Sequence, residues 1–173
     1  MNKKNNIDTV LEVLFSSPSS KFHIRELARL TNLNPNTIVS IIEQLVKEKT
    51  VKKETKKHIV EVSLNFEDRA VKWKKKVSNI LRVYESGVVD FLAEHYQPTA
   101  ISLIGSYSRG EDIEKSDIDL VVLSQKKDII DLNKFEKLLG KKVHLLVLER
   151  GKMGDEFFNN LINGIVLYGA IRK

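Results

Sequence analysis

The 173-residue sequence predicts a mixed α+β fold in two parts. Three helices closed by a β-hairpin come first, and a long helix then leads into a small α/β domain with a mixed sheet. Three patterns predict this. Apolar residues recur at three- and four-residue steps through residues 7–49. The run Ile59-Val60-Glu61-Val62-Ser63-Leu64 alternates its apolar residues with period two, as a half-buried strand does. From Pro98 onward, short apolar runs alternate with helical stretches, the pattern of a domain built on one sheet.

Composition narrows the function classes. Hydrophobic residues make up 42% and charged residues 30%, which excludes wholesale disorder. The absence of cysteine excludes disulfides, thiolate metal sites and cysteine nucleophiles. Asp8 and Glu12 interrupt the apolar stretch from Ile7 to Phe15, so it is a poor signal-peptide core. No apolar run approaches the ~20 residues that span a bilayer. A cytoplasmic protein without a membrane partner is expected. Net charge is +6, and residues 1–65 hold most of it, with 11 Lys/Arg against 7 Asp/Glu. There is no internal repeat.

The elements follow in order. Ile7, Val10, Leu11, Leu14 and Phe15 form the apolar face of a first helix. After the break Ser16-Ser17-Pro18-Ser19-Ser20, a short second helix runs from His23 to Leu30 with Ile24, Leu27 and Leu30 inward. Asn34 before Pro35 reads as an N-cap with proline at the first helical position. The third helix continues to about Lys49, burying Ile38, Ile41, Ile42 and Leu45. Two strands close the segment, Val51–Glu54 and His58–Leu64, with the basic tip Thr55-Lys56-Lys57 between them.

Three helices followed by a basic hairpin resemble a winged helix-turn-helix domain, over residues 1–65. The resemblance implies that the third helix enters the major groove of double-stranded DNA while the hairpin lies along the backbone. Asn34, Asn36, Thr37, Ser40 and Gln44 on the polar face of that helix would reach base edges. Lys52, Lys53, Lys56 and Lys57 would contact phosphates, giving affinity and salt dependence without sequence reading. The competing role is a dimerisation or protein-contact module.

Residues 66–97 form a linking helical region. Phe66, Ala70, Trp73, Val77, Ile80, Leu81 and Tyr84 recur at helical steps and are expected to be its buried stripe, with Gly87 bending or splitting the helix. Lys74-Lys75-Lys76 is expected to be its solvated side. The long apolar stripe around Trp73 suggests a homodimer.

Residues 98–173 carry the chemistry. Strands are expected near Ala100–Ile104, Ile118–Leu123 and Lys142–Leu148, and helices near Leu132–Leu139 and Asp155–Asn163. Ile165-Val166-Leu167-Tyr168 adds a short strand or a buried tail. Gly105 lets backbone approach a ligand closely, and the Ser106 hydroxyl can bond a phosphate oxygen. Asp117 and Asp119, two apart in a strand, project to one side. Two such carboxylates suit a hard cation that also takes phosphate oxygens and water. Arg109 could hold a terminal phosphate or the leaving pyrophosphate.

An apolar residue, Gly-Ser, ten residues and then Asp-x-Asp among apolar neighbours resemble the signature of the DNA polymerase β-like nucleotidyltransferase superfamily. Gly105-Ser106-Tyr107-Ser108-Arg109-Gly110 with Ser116-Asp117-Ile118-Asp119-Leu120 looks most like its minimal (MNT) branch. The resemblance implies catalytic Asp117 and Asp119 binding magnesium or manganese ions, with Gly105 and Ser106 cradling a nucleoside triphosphate, ATP foremost. It also implies a third carboxylate on a later strand. His144 occupies that position here, and Glu149 could substitute only if the chain bends back.

A nucleotidyltransferase coupled to DNA binding is therefore the leading expectation. It would move a nucleoside monophosphate onto an acceptor hydroxyl. Proteins similar to the C-terminal half act as antitoxins that attach AMP to a HEPN-type partner protein, so a toxin–antitoxin role with a protein acceptor is implied. The alternative is a transcription regulator whose degenerate transferase domain only senses a nucleotide. A pure interaction protein is the third reading, against which the intact Gly-Ser and Asp-x-Asp pair speaks.

Overall fold

A computed structural model describes residues 5–56, 59–149 and 153–171, with the side chains of Lys56 and Glu156 also outside the description. Lys57 and His58, placed above in the basic tip and second strand, lie outside the described residues. The chain forms two compact units, Met1–Lys75 and Lys76–Lys173. No described helix is long and apolar enough to cross a membrane.

In the first unit, α1 (Asn6–Ser16) is capped by Asn5, whose side chain accepts the Ile7 amide proton. Next, β1 (Lys21–His23) leads directly into α2 (Ile24–Thr31). Asn34 caps α3 (Pro35–Lys47) by accepting from the Asn36 amide at 2.9 Å, and Pro35 supplies the preset φ of the first turn. Ile38, Ile41, Ile42 and Leu45 are buried along α3, as their spacing predicts. Strands β2 (Val51–Lys56) and β3 (Ile59–Leu64) pair antiparallel, and β1 adds to the other edge of β3.

The first strand corrects the sequence reading, which placed His23 inside the second helix. Three residues are too few to show a two-residue period, and the strand exists because β3 offers it a partner. Phe22 faces Val62 across the pair, and both are buried with Val10, Leu14 and Leu27.

Helix α4 (Arg69–Glu85) runs across the boundary between the units. Its orientation overturns the expected stripe. Trp73, Val77, Leu81 and Tyr84 are exposed, while Val71, Lys75, Asn79 and Val83 are buried. Both sets recur at steps of three or four residues, so periodicity alone does not choose between them. Hydrogen bonds from Asn79 anchor the second face. Gly87, at φ +76°, separates α4 from α5 (Val88–Tyr96).

The second unit continues with β4 (Ala100–Ile104), α6 (Gly105–Arg109), β5 (Ile118–Leu123), α7 (Asn133–Leu139), β6 (Val143–Leu148), α8 (Asp155–Ile162) and β7 (Ile165–Gly169). Strand order is β6-β5-β4-β7, with β5 and β6 parallel and the other pairs antiparallel, so the sheet is mixed. On one face Leu103, Leu120 and Val122 pack with Leu92, Phe135 and Leu139 from the helices. On the other, Ala100, Val121 and Leu123 pack with Leu161 of α8. Sheet faces covered on both sides explain why β5 reads as a continuous apolar run.

Replacing Phe22 tests the unexpected strand. Phe22→Ala is expected to destabilise the first unit by about 3–5 kcal/mol, read as a lowered urea midpoint in circular dichroism. An unchanged midpoint would show that β1 does not seal this core.

Candidate functional site

Register places the site at one end of the second sheet. Ile104 pairs with Asp119 across β4 and β5, and Asp119 pairs with His144 across β5 and β6. Beyond Ile104 the chain turns at Gly105 into α6, a single five-residue helix. Gly105 has φ +72°, a conformation costly for any residue with a side chain. A Cβ there would lie 2.3 Å from Asp119 Oδ2, so glycine is required twice over.

The Asp119 carboxylate is thus bracketed. One oxygen lies against the Gly105 backbone, and the other, Oδ1, is 3.1 Å from His144 Nδ1. Asp119 keeps 34% of its side chain exposed and His144 keeps 67%, so both open to solvent on this edge. Asp117, immediately before β5, is exposed, and Ser106 at the start of α6 is half-exposed. These five residues occupy the same end of the sheet. Among the described residues no three His, Asp or Glu side chains are already gathered at metal-binding distances. The carboxylate oxygens of Asp117 and Asp119 remain a suitable donor set for a magnesium or manganese ion, with phosphate and water oxygens completing its shell.

Two other residues are placed elsewhere. Arg109 Nε is bound to Glu111 Oε2 at 2.7 Å on the surface. Glu149, considered as a replacement carboxylate, lies beyond the far end of β6, where Leu148 pairs with Leu123, and its carboxylate meets Lys127 at 3.4 Å. The parallel pairing of β5 and β6 carries it away from Asp119, so it cannot supply the third carboxylate.

A buried polar cluster supports the loop between α6 and β5. Asn79 Nδ2 donates to the Tyr107 carbonyl at 2.9 Å and to Asp112 Oδ1 at 2.7 Å. Lys141 Nζ lies 3.5 Å from Asp112 Oδ2 and also donates to the carbonyls of Ile113 and Ser116. Side-chain exposure is 5% for Lys141 and 1% for Asp112. The cluster therefore fixes residues 107–116, which set the spacing between the Gly-Ser turn and the aspartates. Asp112 and Lys141 stand 29 positions apart in the sequence. Nothing local reveals their meeting. Tyr107 is fully buried, and burial pushes the pKa of its hydroxyl up to about 12.

In the first unit, Asn36, Ser40, Gln44, Lys52 and Lys53 are exposed, and Thr37 is half-buried. The Asn34 side chain is occupied as the cap of α3, and Gln44 donates to Glu48 at 3.0 Å. Lys52 and Lys53 are successive strand residues and so point to opposite faces. On the face that Lys52 shares, Glu54 and Glu61 lie opposite one another, with Lys21 at 3.0 and 3.3 Å from them.

Comparison with known proteins bears on the second unit. The sequence model of the family described as "Nucleotidyltransferase domain" matches residues 85–168, a span that includes the whole Gly105–His144 site. Two proteins of Methanocaldococcus jannaschii, each bearing the name "putative protein adenylyltransferase", are similar to this chain. One is 33% identical over 78 residues, covering 41% of this chain and 74% of the relative. The other is 31% identical over 98 residues, covering 54% and 94%.

The buried cluster makes its own prediction. Asp112→Ala leaves the Lys141 ammonium buried without its carboxylate and is expected to cost about 3–5 kcal/mol in denaturant unfolding. The double change Asp112→Ala, Lys141→Met removes both charges and should recover part of that loss. A double variant no more stable than the single one would show that the pair is not coupled.

Proposed function

The chain belongs to the nucleotidyltransferase domain family, and on that premise we propose that it transfers AMP from ATP to a hydroxyl on a protein. The observation that carries this reading is the Asp119 carboxylate, held between the Gly105 turn and His144 within the Gly-Ser and Asp-x-Asp spacing. The names borne by the two relatives support protein as acceptor. The family generally uses a nucleoside triphosphate and a divalent cation. Asp117 and Asp119 would hold that cation, which supplies neutralisation of the triphosphate charge.

Gly105 and Ser106 receive the phosphates where no side chain blocks backbone approach. The acceptor hydroxyl oxygen forms a bond to the α-phosphorus as the bond to the pyrophosphate oxygen breaks in line. Its proton needs an acceptor. When His144 carries its proton on Nδ1, it donates to Asp119 Oδ1 and leaves the Nε2 lone pair facing outward. On this reading His144 would serve as the base, at the position where the family resemblance calls for a carboxylate. A HEPN-type partner is the first acceptor to try, following the resemblance of the C-terminal half to antitoxins.

His144 also favours a second reading. An imidazole adds no negative charge, so the same site could bind a nucleotide without turning it over, as a sensor attached to a regulator. DNA binding by the first unit completes either reading. Its support is the exposed polar side of α3 and the surplus of positive charge in residues 1–65.

Incubation with α-labelled ATP and magnesium or manganese, alone and with candidate partner proteins, separates the readings. Label should appear on protein and fall at least about 100-fold in Asp117→Ala or Asp119→Ala, and by about 10²–10⁴ in His144→Ala if its Nε2 is the base. Calorimetric binding of ATP with no transfer under either metal would sink the enzyme and leave the sensor. For DNA, affinity for random duplex should fall steeply with salt, and Lys52→Ala should flatten that slope by roughly one. Salt-independent binding, or none, would remove the DNA role.

A further inference from the structure

The two aspartates of the site are held by different devices. Asp119 lies within the β5 ladder, with the Gly105 backbone against one oxygen and His144 against the other. Asp117 precedes the strand, and among the described residues none bonds its side chain. Its placement therefore falls to the backbone on either side. After it, the Ile118 amide donates to the Lys142 carbonyl at 2.9 Å. Before it, the Ser116 carbonyl accepts from Lys141 Nζ at 3.3 Å. Resting on the reading of Asp117 and Asp119 as the cation's ligands, we infer that Lys141 is the positioning residue for Asp117.

The loop is wound about this ammonium. Lys141 Nζ also donates to the carbonyls of Ile113 and, at 3.4 Å, Glu114. Within the loop, the Ser116 amide donates to the Ile113 carbonyl at 3.1 Å, and the Ser116 hydroxyl accepts from the Ile113 amide at 3.0 Å. Residues 113–116 thus close into a turn with three carbonyls directed at one atom. An apolar side chain at position 141 would leave those carbonyls without this donor. An ammonium supplies three N–H groups from a single atom, which suits such a convergence.

The two members of the buried pair therefore have separable roles. Asp112 Oδ2, 3.5 Å from the ammonium, offsets its charge, which is a matter of stability. Only Lys141 reaches the carbonyl of Ser116, the residue before Asp117. Lys141 also stands three residues before His144, the partner of Asp119. One segment accordingly governs the placement of both aspartates, through an ammonium for the first and an imidazole for the second.

Stability and cation binding should separate in two variants of the full chain. The probe is the manganese–ATP complex, whose binding to protein is read from the relaxation rate of water protons, with urea unfolding measured alongside. Asp112→Ala combined with Lys141→Met removes both charges and recovers stability relative to Asp112→Ala, yet leaves the Ser116 carbonyl without its donor. Affinity for manganese–ATP should fall about tenfold in this double variant. Asp112→Ala alone keeps the ammonium and should bind within about threefold of wild type, although it is the less stable protein. A folded double variant that binds as tightly as wild type overturns the role of Lys141 and leaves the site standing. Affinity that follows stability across the three proteins also overturns it, by showing support of the fold alone. A wild-type chain that binds no manganese–ATP overturns the site itself, and this role with it.

Discussion

The candidate site depends on the approach of the Gly105 backbone to the Asp119 carboxylate. An atom at the Cβ position of residue 105 would stand 2.3 Å from Asp119 Oδ2, so this contact exists only because that atom is missing. The approach follows from register. Pairing of Ile104 with Asp119 brings the end of β4 level with the second aspartate, and the turn that follows must cross in front of it. A shift of one residue in that pairing would move Asp119 to the opposite face of the sheet. The apolar residues of β5 hold the register, because Leu120 and Val122 on one face and Val121 and Leu123 on the other are all buried.

Much of this was legible in the sequence, for a physical reason. The first three helices, the hairpin and the strands of the second unit have regular apolar periods, and those periods are imposed by burial of one face or both. The Gly-Ser and Asp-x-Asp elements were legible because a turn and a two-residue strand repeat are local devices. What was missed is non-local or too short. Strand β1 has three residues and is called into being by β3. Helix α6 has five residues, fewer than two turns. Asn79, Asp112 and Lys141 come from α4, a loop and the turn before β6, and no window of sequence contains all three.

His144 shows where family likeness and local chemistry part. The sheet pairs His144 in register with Asp119 and sets its Nδ1 against Asp119 Oδ1. A carboxylate in that position would add charge beside two aspartates and rely on a cation to offset it. An imidazole adds none. It can hold Asp119 in place by a hydrogen bond and still offer a second nitrogen. Glu149 cannot restore the missing charge, because a parallel strand runs away from the site and delivers it to Lys127.

The orientation of α4 follows from the same site. Burial by size would turn Trp73, Val77 and Leu81 inward, yet the helix buries Lys75 and Asn79 instead. Asn79 explains the choice in the second unit, since its amide serves both the Tyr107 carbonyl and Asp112. Those acceptors are buried and would be expensive to leave unmade, at about 1–3 kcal/mol each and more for a charge. The loop between the Gly-Ser turn and the aspartates thus requires a polar residue on the inner face of the helix. The large apolar residues, a quarter to half a turn away, are then carried outward together. An apolar row on the surface is the consequence of a polar requirement in the interior.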